Sequence, residues 1–318
     1  CLRAALSERS AVATSIVVGS NIFNVLFVLG VSALITPLVA TRRLIRLDVP
    51  IMIAVSALVY LLALDGVIGR WDGVLLFVGA IAYTVFTVRA AHRERSQNWS
   101  IIDTAPPLSD KRVIAWLPLG TDIVLILLGL VMLVAGARWL VDGSISIAKG
   151  LGLGETVIGL TIVAASTSLP EAATSIAAAL RGKREIAVGN VVGSNIANIL
   201  LVLGVTGIVA SHGVEVPSSA LRFDIPVMIA VAISCLPVFF IGGRIARWEG
   251  ALYLGYYIAF VLYLILEAGH HAALPAFNSI MLLFVLPLTV ITLLVLTART
   301  AHHKRRQREA QASASFPD

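Results

Sequence analysis

The sequence predicts an all-α polytopic membrane protein built from two related halves of inverted topology, and three observations carry that prediction. The 318 residues are 58% hydrophobic and only 13% charged, with a mean hydropathy of +0.94. Long apolar stretches alternate with polar or Gly/Pro punctuation. Three blocks of the N-terminal half recur, in the same order, in the C-terminal half. A soluble domain carries about 25% charged residues, and a chain this apolar has too few polar groups to cover a surface in water. The composition therefore excludes a soluble globular enzyme, a disordered chain and a nucleic-acid-binding protein. A net charge of +6 fits the basic loops that membrane proteins keep on their cytoplasmic side. Cys1 and Cys235 form no spaced pair, so neither a disulfide framework nor a thiolate metal site is expected.

A helix needs roughly 20 apolar residues to cross the hydrocarbon core of a bilayer. Nine stretches qualify, near 11–40, 48–66, 71–89, 117–140, 155–180, 185–210, 223–242, 248–268 and 277–298. Threaded alternately, they place 18 of the 24 Lys and Arg residues on the side reached after the first span. That excess makes this side cytoplasmic and leaves the C-terminus there; a plasma (bacterial inner) membrane is the expected location. Residues 92–116, with Pro106 and Pro107, read as a cytoplasmic linker, and 299–318 as a basic cytoplasmic tail. The organisation expected is a first repeat over 1–91, a second over 117–268 and an additional span at 277–298. The lipid bilayer is the expected surrounding, and nucleic acid is not an expected partner.

The repeat is specific. Residues 19–31 (GSNIFNVLFVLGV) match 193–205 (GSNIANILLVLGV) at 10 of 13 positions, an offset of 174. DVPIMIAV from Asp48 matches DIPVMIAV from Asp224 at an offset of 176, and Trp71-Asp72-Gly73 matches Trp248-Glu249-Gly250 at 177. The first GSN helix and its partner five spans later cross the membrane in opposite directions, so the halves are expected to be inverted. Inverted repeats around a midplane site are a recurring transporter design, because they supply two similar-energy states open to opposite sides. The second half has 76 residues between Leu117 and Gly193, whereas 18 precede Gly19. The first repeat is therefore expected to lack about two helices, as in an N-terminally truncated chain.

One acid stands apart from those at span ends. Glu171 lies about 15 Å of helix rise from the cytoplasmic end of its span, near mid-bilayer. A carboxylate there costs at least ~2.5–3.5 kcal/mol and should face a cavity with a positive partner. No Lys or Arg lies at that depth, which leaves a bound cation, or a proton on Glu171 itself. Thr167 and Glu171 share a helix face. Pro170 has no N–H, so the Ser166 carbonyl cannot receive its helical donor and becomes a candidate ligand. Hydroxyl, carboxylate and carbonyl oxygens on a broken helix suit Ca2+ or Na+ rather than Zn2+ or Cu+. Ser194 and Asn198, like Ser20 and Asn24, are i,i+4 pairs that put two oxygen ligands on one face. Ser15-xxx-Gly19 and Gly189-xxx-Gly193 are also small-xxx-small patterns that would bring helix backbones together.

Thr167-Ser-Leu-Pro-Glu171 followed by Gly189-Asn-Val-Val-Gly-Ser-Asn-Ile-Ala-Asn198 resembles the second α-repeat of the sodium/calcium exchanger family of cation/Ca2+ antiporters. Gly19-Ser-Asn-Ile-Phe-Asn24 resembles the tail of the first α-repeat. The resemblance covers roughly residues 1–268. It implies a ten-helix fold that exchanges Ca2+ for Na+ by alternating access. It also implies that Thr167, Ser168, Glu171, Ser194, Asn198, Ser20 and Asn24 line the ion sites, with the Ala164 carbonyl a further ligand. No cofactor is implied, since Ca2+ and Na+ bind transiently as cargo. The family's first Thr-Ser-x-Pro-Glu segment is not found before Gly19, so one carboxylate is expected to meet the ion. The alternatives are Ca2+/H+ exchange, K+-dependent Na+/Ca2+ exchange, a non-transporting truncated membrane protein, and an intramembrane enzyme. No HExxH motif, phosphate-cradling loop or nucleophile pair favours the enzyme.

Overall fold

The computed structural model describes residues 10–102, 164–240, 243–269 and 273–287, with scattered helical positions between 124 and 146 and at 290. Its elements are α1 (Ser10–Phe23), α2 (Gly30–Ile35), β1 (Leu38–Val39), α3 (Val49–Leu62), β2 (Val67–Ile68), α4 (Arg70–Ile102), α5 (Ala164–Thr167), α6 (Leu169–Leu180), α7 (Arg184–Ala197), α8 (Gly204–Val209), β3 (Val214–Glu215), α9 (Ile225–Phe240), β4 (Arg244–Ile245), α10 (Arg247–Ala268) and α11 (Leu274–Ile280).

Six helices among the described residues are long and apolar enough to cross a membrane: Ala13–Ile35, Leu44–Leu62, Arg70–Ala90, Arg184–Val209, Ala220–Phe239 and Arg247–Glu267. They correspond to six of the nine predicted spans. The 155–180 stretch is described from Ala164 onward and is interrupted at Ser168, so Leu169–Leu180 counts as a shorter apolar helix, as does Leu274–Leu283. Most of the 117–140 span, the 277–298 span beyond Pro287 except Val290, and the 299–318 tail lie outside the described residues. The helix that begins at Arg70 runs on to Ile102, so the stretch expected to open a linker at 92 continues as helix. Its Arg, Glu and Gln content explains why, since these are good helix formers.

One kind of local irregularity recurs in two pairs at the repeat offsets. The long helices pass through π-helical turns at Asn24–Leu29 and Asn198–Leu203, each opened by the asparagine of the GSN block. Further π turns at Leu44–Asp48 and Ala220–Asp224 precede Pro50 and Pro226. A proline ring clashes with the carbonyl four residues earlier, and a widened turn relieves that clash.

The pairings between the halves are exchange-symmetric. β1 pairs antiparallel with β4, Leu38 opposite Ile245, and β2 with β3, Ile68 opposite Val214. Shifting each partner by its repeat offset turns one pairing into the other. The helix crossings obey the same rule. A Cβ on Gly73 of α4 would lie 2.7 Å from the Gly204 carbonyl oxygen and from the Ile208 nitrogen; one on Gly250 of α10 would lie 2.8 Å from the Gly30 carbonyl oxygen. Only glycine permits backbones this close. This explains the third repeat block. Its glycine is the crossing point, and its acid caps the helix start: Gly69 N–H donates to Asp72 Oδ2 at 2.8 Å, and Ala246 N–H to Glu249 Oε2 at 2.7 Å.

Among the described residues, close helix approach falls elsewhere than at Gly189 and Gly193. Among those residues, a Cβ on Gly193 would meet nothing within 4 Å, and one on Gly189 only the Leu44 Cδ1 at 3.9 Å. The backbones instead meet at Gly73, Gly204, Gly207, Gly30 and Gly250, because that is where α4 crosses α8 and α10 crosses α2.

Candidate ion-binding site

The helix carrying Thr-Ser-Leu-Pro-Glu is broken, as its proline requires. Ser168 leaves the helical conformation at φ −102, ψ 6 between α5 and α6. Its N–H bonds the Ala165 carbonyl at 3.0 Å, a tighter turn in place of the bond to Ala164 that an unbroken helix would make. Ala164 opens the described stretch, and its backbone is placed at this break. Ser168 itself is buried. Glu171 then sits in the first turn of α6, where the helix dipole favours a negative charge. The residue is half-buried, and among the described residues its Oε2 is a buried atom with no hydrogen-bond partner.

α6 is fixed to α7 by a side chain not singled out from the sequence. The Asn190 Nδ2 donates to the Glu171 carbonyl at 3.2 Å, to Thr174 Oγ1 at 3.0 Å and to Ser175 Oγ at 2.9 Å. Asn190 therefore holds the backbone of the acid without bonding its carboxylate. α6 also packs against the π turn that begins at Asn24, and α5 against α1. That second contact brings two predicted ligands together, with Ser20 Oγ and Thr167 Oγ1 2.7 Å apart.

The two GSN helices meet through four asparagines. Asn24 Nδ2 donates to Asn195 Oδ1 at 3.0 Å and to Ser194 Oγ at 3.3 Å. Asn198 Nδ2 donates to Asn21 Oδ1 at 3.0 Å. Asn21 Nδ2 donates to the Asn195 carbonyl, and Asn195 Nδ2 to the Asn21 carbonyl, both at 3.3 Å. Ser194 donates onward to the Asn190 carbonyl at 2.8 Å. The amide N–H groups are thus turned toward protein acceptors. Asn24 is fully buried, and its Oδ1 joins Glu171 Oε2 as a buried acceptor atom with no donor among the described residues.

Of the predicted residues, the structure joins Ser20 to Thr167 and Asn24 to Ser194, and links Asn198 through Asn21. Ser168 and Glu171 share the broken helix; Glu171 is tied to that network only through its carbonyl, by way of Asn190 and Ser194, and among the described residues its Oε2 makes no bond to it. Asn21, Asn195 and Asn190 were not among the predicted site residues. The first two lie in the 13-residue block at identical positions, and that identity was the available signal. Asn190 has no polar counterpart, since Ile16 stands at its repeat position.

A family model described as "Sodium/calcium exchanger protein" matches residues 2–89 and 121–266. The chain belongs to the sodium/calcium exchanger family. It is 34% identical over 264 residues to the putative antiporter CaxA of Alkalimonas amylolytica, covering 81% of this chain and 79% of that protein. It is 31% identical over 293 residues to the sodium/calcium exchanger MaX1 of Methanosarcina acetivorans, covering 83% of each. A solved structure of the sodium-calcium exchanger NCX_Mj, soaked with Na+ and Sr2+, matches with a TM-score of 0.62 at 27% identity, covering 82% of this chain and 79% of that one. Membership places this exchanger-family chain among integral membrane cation/Ca2+ antiporters rather than enzymes.

Proposed function

We propose that the chain exchanges Ca2+ for Na+ by alternating access, with the ions bound by Glu171, Thr167, Ser168, Ser194, Asn198, Ser20, Asn24 and the Ala164 carbonyl. The observation that carries the reading is that two buried acceptor oxygens of this site, Glu171 Oε2 and Asn24 Oδ1, have no donor among the described residues. A buried oxygen acceptor deprived of water is costly unless something positive satisfies it. The other oxygens gathered here are hydroxyls and amides, the hard, uncharged ligands that replace the hydration shell of Ca2+ or Na+. Both ions would draw on one carboxylate, so their competition for it couples inward to outward flux.

The exchange-symmetric pairings support alternating access. A structure whose halves contact each other by interchangeable bonds has two arrangements of similar energy. In this reading the halves are inverted in a bacterial-type inner membrane, and the Lys/Arg excess places the C-terminus in the cytoplasm. The names of the relatives, an antiporter and sodium/calcium exchangers, support the choice of cargo.

The test is uptake of radiolabelled Ca2+ into Na+-loaded proteoliposomes containing the chain. An outward Na+ gradient should drive uptake, and Glu171→Gln should abolish it. Uptake driven by a proton gradient but indifferent to Na+ would replace Na+ with H+ as the counter-ion. Wild-type flux in Glu171→Gln would sink the assigned site.

A further inference from the structure

The second repeat block, Asp48-Val-Pro-Ile-Met52 and Asp224-Ile-Pro-Val-Met228, contributes no ligand to the site described above. Yet each of its methionines touches the asparagine network. Asn195 Nδ2 lies 3.6 Å from Met52 Sδ, and Asn21 Nδ2 lies 3.6 Å from Met228 Sδ. These two contacts are equivalents of one another under exchange of the halves. Both methionines are almost fully buried, at 1% and 2% exposure, on α3 and α9, helices that lie outside the ligand set.

A carboxamide has a donor end and an acceptor end of nearly the same shape, so packing alone does not choose between its two orientations. A thioether sulfur is an acceptor only. Beside each sulfur, Asn195 and Asn21 therefore present nitrogen, not oxygen. The same nitrogen also reaches the carbonyl of the opposite asparagine, another acceptor. With its nitrogen committed, Asn195 must offer Oδ1 to Asn24, and Asn21 must offer Oδ1 to Asn198. That in turn points the nitrogen of Asn24 inward to the network and leaves its Oδ1 a buried acceptor with no donor among the described residues.

We propose that Met52 and Met228 are positioning residues that set the polarity of the asparagine relay, so that oxygen rather than nitrogen is presented to the bound cation. An inverted amide would turn an N–H toward a positive ion and lose the ligand. Two methionines in two halves would orient one relay arm each, Met52 through Asn195 to Asn24 and Met228 through Asn21 to Asn198. The inference rests on the ion site proposed above and deepens it.

The experiment compares the full chain with Met52→Leu and Met52→Gln, and with the corresponding variants of Met228. Leucine keeps the apolar volume and removes the acceptor; glutamine keeps the length and restores an acceptor oxygen. Equilibrium binding of Ca2+ to the detergent-solubilised protein is measured, together with the thermal midpoint of unfolding. We expect Met52→Leu to weaken Ca2+ binding roughly fivefold, the affinity equivalent of one lost neutral hydrogen bond, and Met52→Gln to recover most of it. A purely packing role predicts the opposite order, with leucine tolerated better than a buried glutamine. Leucine variants that bind Ca2+ as tightly as wild type, or more tightly than the glutamine variants, would overturn the inference. So would wild-type protein that binds no Ca2+, which would overturn the ion site with it. Ordered binding without Na+-driven flux would sustain the methionine inference and remove only the exchange reading.

Discussion

Asn24 donates its amide nitrogen to Asn195 Oδ1 across the two GSN helices at 3.0 Å, while its own Oδ1 stays buried without a donor among the described residues. One side chain thus joins the halves with its donor end and presents an acceptor with its other end. Asn24→Ala should remove a ligand oxygen and also leave Asn195 Oδ1 short of its donor. The second loss alone costs about 1–3 kcal/mol of stability. We expect Ca2+ uptake to fall at least about tenfold, the equivalent of 1.4 kcal/mol, and the thermal midpoint to drop as well. Asn24→Ala with wild-type uptake would remove this residue from the site.

Ser20 and Thr167 make the contact that docks the broken helix on α1. Ser20→Ala should cost about 0.5–1.5 kcal/mol of stability, the net worth of one neutral hydrogen bond. Thr167→Val should cost a similar amount, and the double variant less than the sum of the two, because both remove the same bond. Strict additivity in denaturation of the solubilised protein would show that the two hydroxyls do not act on each other.

The glycine crossings give a prediction independent of ion chemistry. Gly73→Ala would place a Cβ 2.7 Å from backbone atoms of Gly204 and Ile208. Backbone cannot give way as a flexible side chain can, so overpacking of about 1–3 kcal/mol is expected. Gly250→Ala should behave alike, whereas Gly193→Ala, with nothing among the described residues within 4 Å of its added carbon, should leave the thermal midpoint nearly unchanged. Equal destabilisation by Gly193→Ala and Gly73→Ala would contradict the observed crossing geometry.

The start of α10 depends on Glu249, buried at 2% exposure and bonded to the Ala246 N–H at 2.7 Å. Glu249→Ala removes this acceptor from an N-terminal N–H and should cost about 0.5–2 kcal/mol. Its repeat partner Asp72 accepts from Gly69 at 2.8 Å, so Asp72→Ala should show the same kind of loss. A thermal shift in neither variant would mean that water caps these ends equally well.

Much of the architecture was legible without coordinates. Apolar length marked the spans because the hydrocarbon thickness sets a minimum helix length. Matching blocks at offsets of 174, 176 and 177 marked residues whose contacts proved exchange-symmetric, Gly73 against Gly204 and Gly250 against Gly30. Glu171 could be singled out because a carboxylate at that depth has a cost that only a partner offsets. Small-xxx-small spacing did not single out the glycines at which described helices cross, Gly73, Gly204, Gly30 and Gly250.

Which residues lie on one face of one helix follows from the chain alone, through the 3.6-residue period and the missing N–H of Pro170. The sequence therefore determined the spans, the break beside Glu171 and the kinship of the halves. Which helix each face meets was decided only by the tertiary structure. Asn21, Asn195, Met52 and Met228 show why: a carboxamide reads the same in sequence whichever end points at the ion, and only the acceptors packed around it select its orientation.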